Sequence, residues 1–123
     1  MADPQPVILL PPSEGKAPGG DGPVWAAGTM VDGSLDGARR QVLRAARAEG
    51  ASPRRAGTLP ASARYTGVLY QELAWSTLPL AARRRGDRQV RIVSGLWGLV
   101  APPDPIPPYR LKMSASLPDL GRL

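Results

Sequence analysis

The chain has no cysteine and no histidine. The first absence excludes disulfides, thiol catalysis and cysteine-ligated zinc. The second removes the side chain most often used as a general base near neutral pH. Phenylalanine is also missing, and the aromatic residues are three Trp and three Tyr. The core of a 123-residue chain must then be filled mostly by Leu, Val, Ile and Ala. The N-terminal apolar run, Val7 to Leu10, is too short for a secretion signal or a membrane span. The default expectation is a cytoplasmic protein with no membrane partner.

What is abundant is loop-forming and basic. The chain holds 14 glycines and 15 prolines, so much of it should be loop. Sixteen cations against ten carboxylates give a net charge of +6 and a pI of about 10.8. All of those cations are arginines except Lys16 and Lys112. The excess favours phosphate-bearing partners. It equally fits an arginine-rich codon bias.

The length allows one domain, taken as residues 1–123. Pro6 to Leu10 lacks polar alternation and predicts a strand buried on both faces, central and parallel. Residues 17–33 read as a long loop. Leu35 to Glu49 predicts a helix capped by Ser34, with Asp36 in its first turn and Gly50 closing it. Leu35, Ala38, Val42 and Ala46 would face the core, leaving Arg39, Arg40, Arg44 and Arg47 outward. Residues 51–63 read as a linker. Two shorter helices are expected over Tyr65–Leu73, on a Tyr65/Leu69/Leu73 face, and over Leu78–Arg85. Val90 to Ser94 is a second buried strand. Tyr109 to Met113 alternates as a strand that puts Arg110 and Lys112 on one face. Alternating strands and helices make the fold class α/β: a mixed sheet with flanking helices, rich in loops.

Several polar residues fall at strand ends, where ligands bind in open α/β sheets. Ser13-Glu14-Gly15-Lys16 follows the first strand. A phosphate loop would need glycine in place of Leu10 and Ser or Thr in place of Ala17, so nucleotide hydrolysis of that type is excluded. Lys16 can still hold an anion, or act as a nucleophile if burial lowers its pKa. Otherwise it is a solvated loop lysine. Tyr65-Thr66-Gly67 offers hydroxyls and a close backbone approach, or simply a helix start. Ser94-Gly95 ends the second strand, with or without chemistry. Asp104 stands among five prolines, which either present it rigidly toward Lys16 or Arg110 or merely stiffen a crossover. Tyr109, Arg110 and Lys112 form the strongest candidate, an anion pocket with Lys16; the alternative is an exposed basic edge strand. Arg83-Arg84-Arg85 and the four helix arginines suit phosphate contact or a solvated face. No carboxylate cluster suggests a metal, and no cofactor is indicated. The tryptophans read as core rather than stacking platforms.

Three blocks carry a family resemblance. They are Ile8-Leu9-Leu10-Pro11-Pro12-Ser13-Glu14-Gly15-Lys16, then Arg64-Tyr65-Thr66-Gly67-Val68-Leu69-Tyr70, then the stretch from Ile92 to Met113. The last, with Ser-Gly-Leu-Trp-Gly and Pro-Pro-Asp-Pro-Ile-Pro-Pro-Tyr-Arg-Leu-Lys-Met, is long and specific. Together they resemble the YaaA family of peroxide stress proteins. The resemblance covers the family's N-terminal half; its later Asn-Leu-Ala-Ser and Lys-x-Ala-Arg-Gly motifs have no counterpart, and residues 51–63 look shortened. It implies an incomplete version of the family's mixed α/β fold with a basic groove. It also implies an indirect role in limiting oxidative damage, through DNA or free iron. Direct peroxide reduction would lack the usual side chains, with no Cys, no His and three Met. Three readings stand. One is a DNA-binding stress protein. Another is an enzyme acting on a nucleobase, nucleotide or amino-acid-like anion, with Lys16, Asp104 and Tyr109 as catalytic candidates and Ser13, Tyr65, Thr66, Ser94, Gly95, Arg110 and Lys112 binding. The third is a truncated, inactive member. A second polypeptide supplying the missing half is an expected partner.

Overall fold

The structure, a computed structural model, describes residues 6–13, 15–51, 56–110, 116–117 and 121–122. A three-stranded sheet forms its centre. β1 (Ile8–Leu10) runs parallel to β3 (Val90–Ser94), and β3 pairs antiparallel with β4 (Gly98–Val100). Val90, Ile92 and Ser94 alternate into the interior, as the two-residue period of a strand dictates. Trp97 and Leu96, in the turn after β3, are fully or nearly buried and join Val100, Ile106, Leu43 and Ala46 in one core. The Trp25 ring packs on Trp97 with centroids 5.1 Å apart. The mixed α/β class with a small sheet and loop-rich connections is as expected.

The first strand differs from expectation. The strand order β1-β3-β4 puts β1 at the edge, and Val7, Ile8 and Leu9 are 64%, 47% and 60% exposed. It is parallel, but neither central nor buried. An apolar run reports a capacity for burial; it does not supply the neighbour.

The first long helix, α1 (Asp36–Ala48), follows a 3-10 turn at Gly33–Leu35. Ser34 makes no side-chain cap there. Asp36 complements the helix N-terminus and accepts the Gly28 N–H at 2.9 Å, which holds its carboxyl below the usual range. The helix closes through Gly50 at φ +74°, with the Ala51 N–H reaching back to the Ala46 carbonyl at 2.8 Å. Its buried stripe is Asp36, Arg39, Leu43 and Ala46. That corrects the outward placement of Arg39. At 1% exposure it donates to the carbonyls of Trp97, Asp32 and Leu99 and to Asp36 Oδ1, clasping the β3–β4 turn.

Residues 58–63 of the expected linker form a bridge, a strand and the start of a helix. Thr58 bridges Gly22, and β2 (Leu59–Pro60) pairs antiparallel with β5 (Pro105–Ile106). Gly57 is required here, because a Cβ would lie 2.2 Å from the Gly20 carbonyl oxygen. α2 (Ala61–Arg64) follows directly. α3 (Val68–Leu73) is shorter than expected, and its core residue is Tyr70 rather than Leu69. α4 (Leu80–Gln89) starts after Pro79, whose fixed φ suits a helix entry. β6 (Ser116–Leu117) and β7 (Gly121–Arg122) pair antiparallel. The expected strand over 109–113 falls partly outside the described residues, as does Lys112. Among the described residues, no helix is long and apolar enough to cross a membrane.

Candidate functional site

The loop leaving β1 is fastened to the Arg64–Gly67 segment. The Ser13 hydroxyl donates to the Gly15 carbonyl at 2.9 Å and accepts the Gly67 N–H at 2.8 Å. Thr66 N–H donates to the Gly15 carbonyl at 3.0 Å, and Ala17 N–H to the Arg64 carbonyl at 2.8 Å. Lys16 and Tyr65 form a backbone bridge between these bonds. Two distant sequence blocks thereby become one ledge at the C-terminal end of β1.

The third block meets this ledge through hydroxyl groups. Ser94 Oγ lies 2.7 Å from Tyr109 Oη, which lies 2.7 Å from Tyr65 Oη. Ser94 Oγ also accepts the Trp97 N–H at 3.0 Å and the Leu96 N–H at 3.3 Å. With both lone pairs so engaged, its own proton goes to Tyr109. Passing one proton along each bond, Tyr109 donates to Tyr65, and the Tyr65 proton ends the chain. Lys16 Nζ sits 4.4 Å from the centroid of the Tyr109 ring, a cation–π contact made by the ammonium form. A nucleophilic Lys16 would need the neutral amine. The Tyr70 ring stacks 5.5 Å from Tyr65, and its hydroxyl donates to the Pro11 carbonyl.

Burial raises the Tyr65 hydroxyl well above the ordinary phenol value of 10.0, with Tyr109 adding to the effect. Burial likewise raises Tyr109, against opposing hydrogen bonds from Ser94 and Tyr65. Tyr70 is pushed up to about 12, chiefly by burial. Each folded-state value exceeds the unfolded one, so the linked stability is present below about pH 10 and is lost as pH rises through the folded values. Tyr109→Phe should cost about 1–3 kcal/mol, because the buried Ser94 and Tyr65 hydroxyls lose a partner. Denaturant unfolding at pH 8 and pH 11 checks both statements. The wild type should lose more stability than the variant over that interval.

Gly67 is held by sterics rather than by φ: a Cβ there would lie 2.6 Å from Ser13 Oγ. Gly67→Ala should therefore displace the Ser13 hydroxyl and cost about 1–3 kcal/mol. The double variant Ser13→Ala/Gly67→Ala should recover part of that loss in a thermal unfolding cycle.

Six anticipated residues thus converge: Ser13, Lys16, Tyr65, Thr66, Ser94 and Tyr109. Others lie elsewhere. Asp104 is 1% exposed and turned inward, accepting the Val31 N–H at 2.8 Å and the Ala101 N–H at 2.7 Å. Through these two amides it pins the proline loop rather than serving the hydroxyl cluster. Burial raises its carboxyl while these two amides oppose the shift. Arg110 is exposed, and its N–H donates to the Ala51 carbonyl at 2.7 Å. Gly95 lines a cavity of about 250 Å³ beneath α1, with Leu35, Val42 and Trp97 and with Ser94 on its border. Of the seven arginines expected on a nucleic-acid surface, Arg40, Arg44, Arg84 and Arg85 are exposed, Arg47 and Arg83 half-buried and Arg39 buried. Among the described residues, no three acidic side chains converge to hold a metal.

Sequence reasoning missed two residues under the site. Tyr70 buttresses Tyr65. Arg64, with 0% exposure, donates to the carbonyls of Ala17 at 2.6 Å, Gly57 at 3.3 Å and Ile106 at 3.0 Å. Its place at the head of the Arg-Tyr-Thr-Gly block was visible; nothing in the string signals its burial.

Fold and site together define a loop-rich mixed α/β protein with a polar cluster built at a strand end. The family described as peroxide stress protein YaaA matches residues 27–123, and the chain belongs to that family. A UPF0246 protein of Streptomyces coelicolor is 38% identical over 141 aligned positions, covering 95% of this chain and 54% of the relative. One of Corynebacterium efficiens is 37% identical over 133 positions, covering 91% and 53%. Both alignments exceed the length of this chain, so they include residues of the relatives that it lacks. A Lactobacillus delbrueckii relative is 45% identical over 60 residues, 49% of this chain. The chain spans about half the length of the first two relatives.

Proposed function

We propose that the chain is the anion-recognising half of a cytoplasmic, YaaA-type peroxide stress protein that limits oxidative damage indirectly. The observation that carries this reading is the Ser94–Tyr109–Tyr65 hydroxyl chain with the Lys16 ammonium over its middle ring. A positive charge beside an oriented hydroxyl suits a phosphate or carboxylate. The absence of Cys and His supports an indirect rather than a peroxide-reducing role. Titration with inorganic phosphate, followed by calorimetry, tests the site. Lys16→Met and Tyr65→Phe should each weaken binding by tenfold or more. Wild-type protein that gives no saturable heat, or a Lys16→Met variant that binds equally well, would sink the idea.

DNA contact is a second reading, favoured by the exposure of Arg40, Arg44, Arg84 and Arg85. Replacing all four by Gln should reduce the salt dependence of binding to a short duplex, by about 0.9 in the log–log slope for each lost phosphate contact. An unchanged slope counts against those residues. Arg39→Ala is no part of that test, because Arg39 faces inward.

A further inference from the structure

Val7, Ile8 and Leu9 are exposed apolar residues on β1 and its approach, whereas Leu10 packs against the core. Ile8 and Leu9 point to opposite faces of the sheet, as successive strand residues do, yet they are 47% and 60% exposed. The outer edge of β1 has no paired strand among the described residues. Parallel strands are ordinarily covered on both faces. An uncovered apolar edge is a template for further pairing. Val68 and Leu69 are two further exposed apolar residues, at 76% and 43% exposure. They stand at the start of α3, which the Gly67–Ser13 and Tyr70–Pro11 hydrogen bonds tie to the end of β1.

The relatives indicate what covers this surface. This chain accounts for only 54% and 53% of the Streptomyces and Corynebacterium proteins. We propose that a polypeptide corresponding to the second half of those relatives docks here. It adds a strand along the open edge of β1 and lays apolar side chains over Val7, Leu9 and Val68. The contact is the same whether that polypeptide continues this chain or is separate from it. A second copy of this chain fits poorly. β1 is three residues long, so copy-to-copy pairing buries far less than the roughly 800 Å² per partner of a stable interface. Two copies each carrying +6 also repel. Ser13 and Lys16 follow β1 directly, so the docked strand would border the hydroxyl cluster. The docking does not depend on what ligand that cluster takes.

The test mixes the 123-residue chain with a separately produced second half of the Streptomyces coelicolor relative. Light scattering after gel filtration should show a 1:1 complex, and hydrogen exchange should slow at residues 7–10. Leu9→Asp and Val68→Asp should each weaken the complex at least tenfold. Leu80→Asp, at 55% exposure close to Leu9 in accessibility but at the start of α4, should not. If the second half does not fold alone, the two halves are joined in one polypeptide. Exchange at residues 7–10 should then slow relative to the 123-residue chain. Three results would overturn the proposal: no protection at β1 in the joined protein, a complex indifferent to Leu9→Asp, or a homodimer broken by Leu9→Asp.

Discussion

Arg64→Met should lower the unfolding free energy by about 3–5 kcal/mol, a large share of the total for a small domain. Arg64 is completely buried and spreads its guanidinium over carbonyls from three segments: the loop after β1, the strand-forming stretch before α2, and β5. Among the described residues its hydrogen-bond partners are all carbonyls, and burial lowers its pKa. Carbonyl dipoles from these three segments hold the charge. Truncation therefore removes the donor from three carbonyls at once, that of Ile106 in a buried contact, and a buried acceptor left unsatisfied costs about 1–3 kcal/mol. Arg64→Lys should be nearly as damaging, because an ammonium on a flexible stem cannot reproduce a planar fork. Urea unfolding followed by tryptophan fluorescence measures both. A loss below about 1 kcal/mol for Arg64→Met would mean that water takes over the carbonyls.

Arg39→Ala should cost a comparable amount, about 3–5 kcal/mol. Its Nε donates to the Trp97 carbonyl at 2.9 Å and its Nη2 to the Leu99 carbonyl at 2.8 Å, so one side chain from α1 satisfies the turn that joins β3 to β4. It also pairs with Asp36 at 3.0 Å. The depressed Asp36 carboxyl adds stability above its unfolded value of 3.8 that fades as pH falls through the lower folded value. Arg40→Ala and Arg44→Ala, one and five positions away on the exposed face, should stay within about 0.5 kcal/mol of wild type. The contrast between neighbours in one helix separates a structural arginine from a surface one. Equal effects at positions 39 and 40 would contradict the buried placement.

These two arginines mark where the sequence was least legible. Hydropathy patterning treats every arginine as solvent-seeking, and it accordingly predicts Leu35, Ala38, Val42 and Ala46 as the inward face of α1. The observed stripe of Asp36, Arg39, Leu43 and Ala46 is rotated by about one residue. A clue existed, since Asp36, Arg39 and Leu43 already share a helical face with a built-in ion pair. Knowing that backbone carbonyls awaited the guanidinium, however, required the β3–β4 turn. The second misreading, at β1, has a different cause. A strand's residues record whether it can be buried, whereas its position in the sheet depends on chains beyond it. The strand-end residues fared better. Ser13, Lys16, Tyr65, Thr66, Ser94 and Tyr109 were all named from their positions, and they meet because parallel pairing of β1 with β3 brings both C-terminal ends to one side.

That same pairing has a kinetic side. Ile8 pairs with Val90 and Leu10 with Ile92, so the first strand finds its partner only after some eighty intervening residues exist. Pairings this distant carry a loop-closure cost and slow folding. During synthesis at about 5–20 residues per second, Val7 to Leu10 would wait roughly 4–16 s as an apolar, unpaired segment. The nascent chain thus carries this apolar segment without its parallel partner until β3 has been made, and β1 should depend on chaperone protection over that interval.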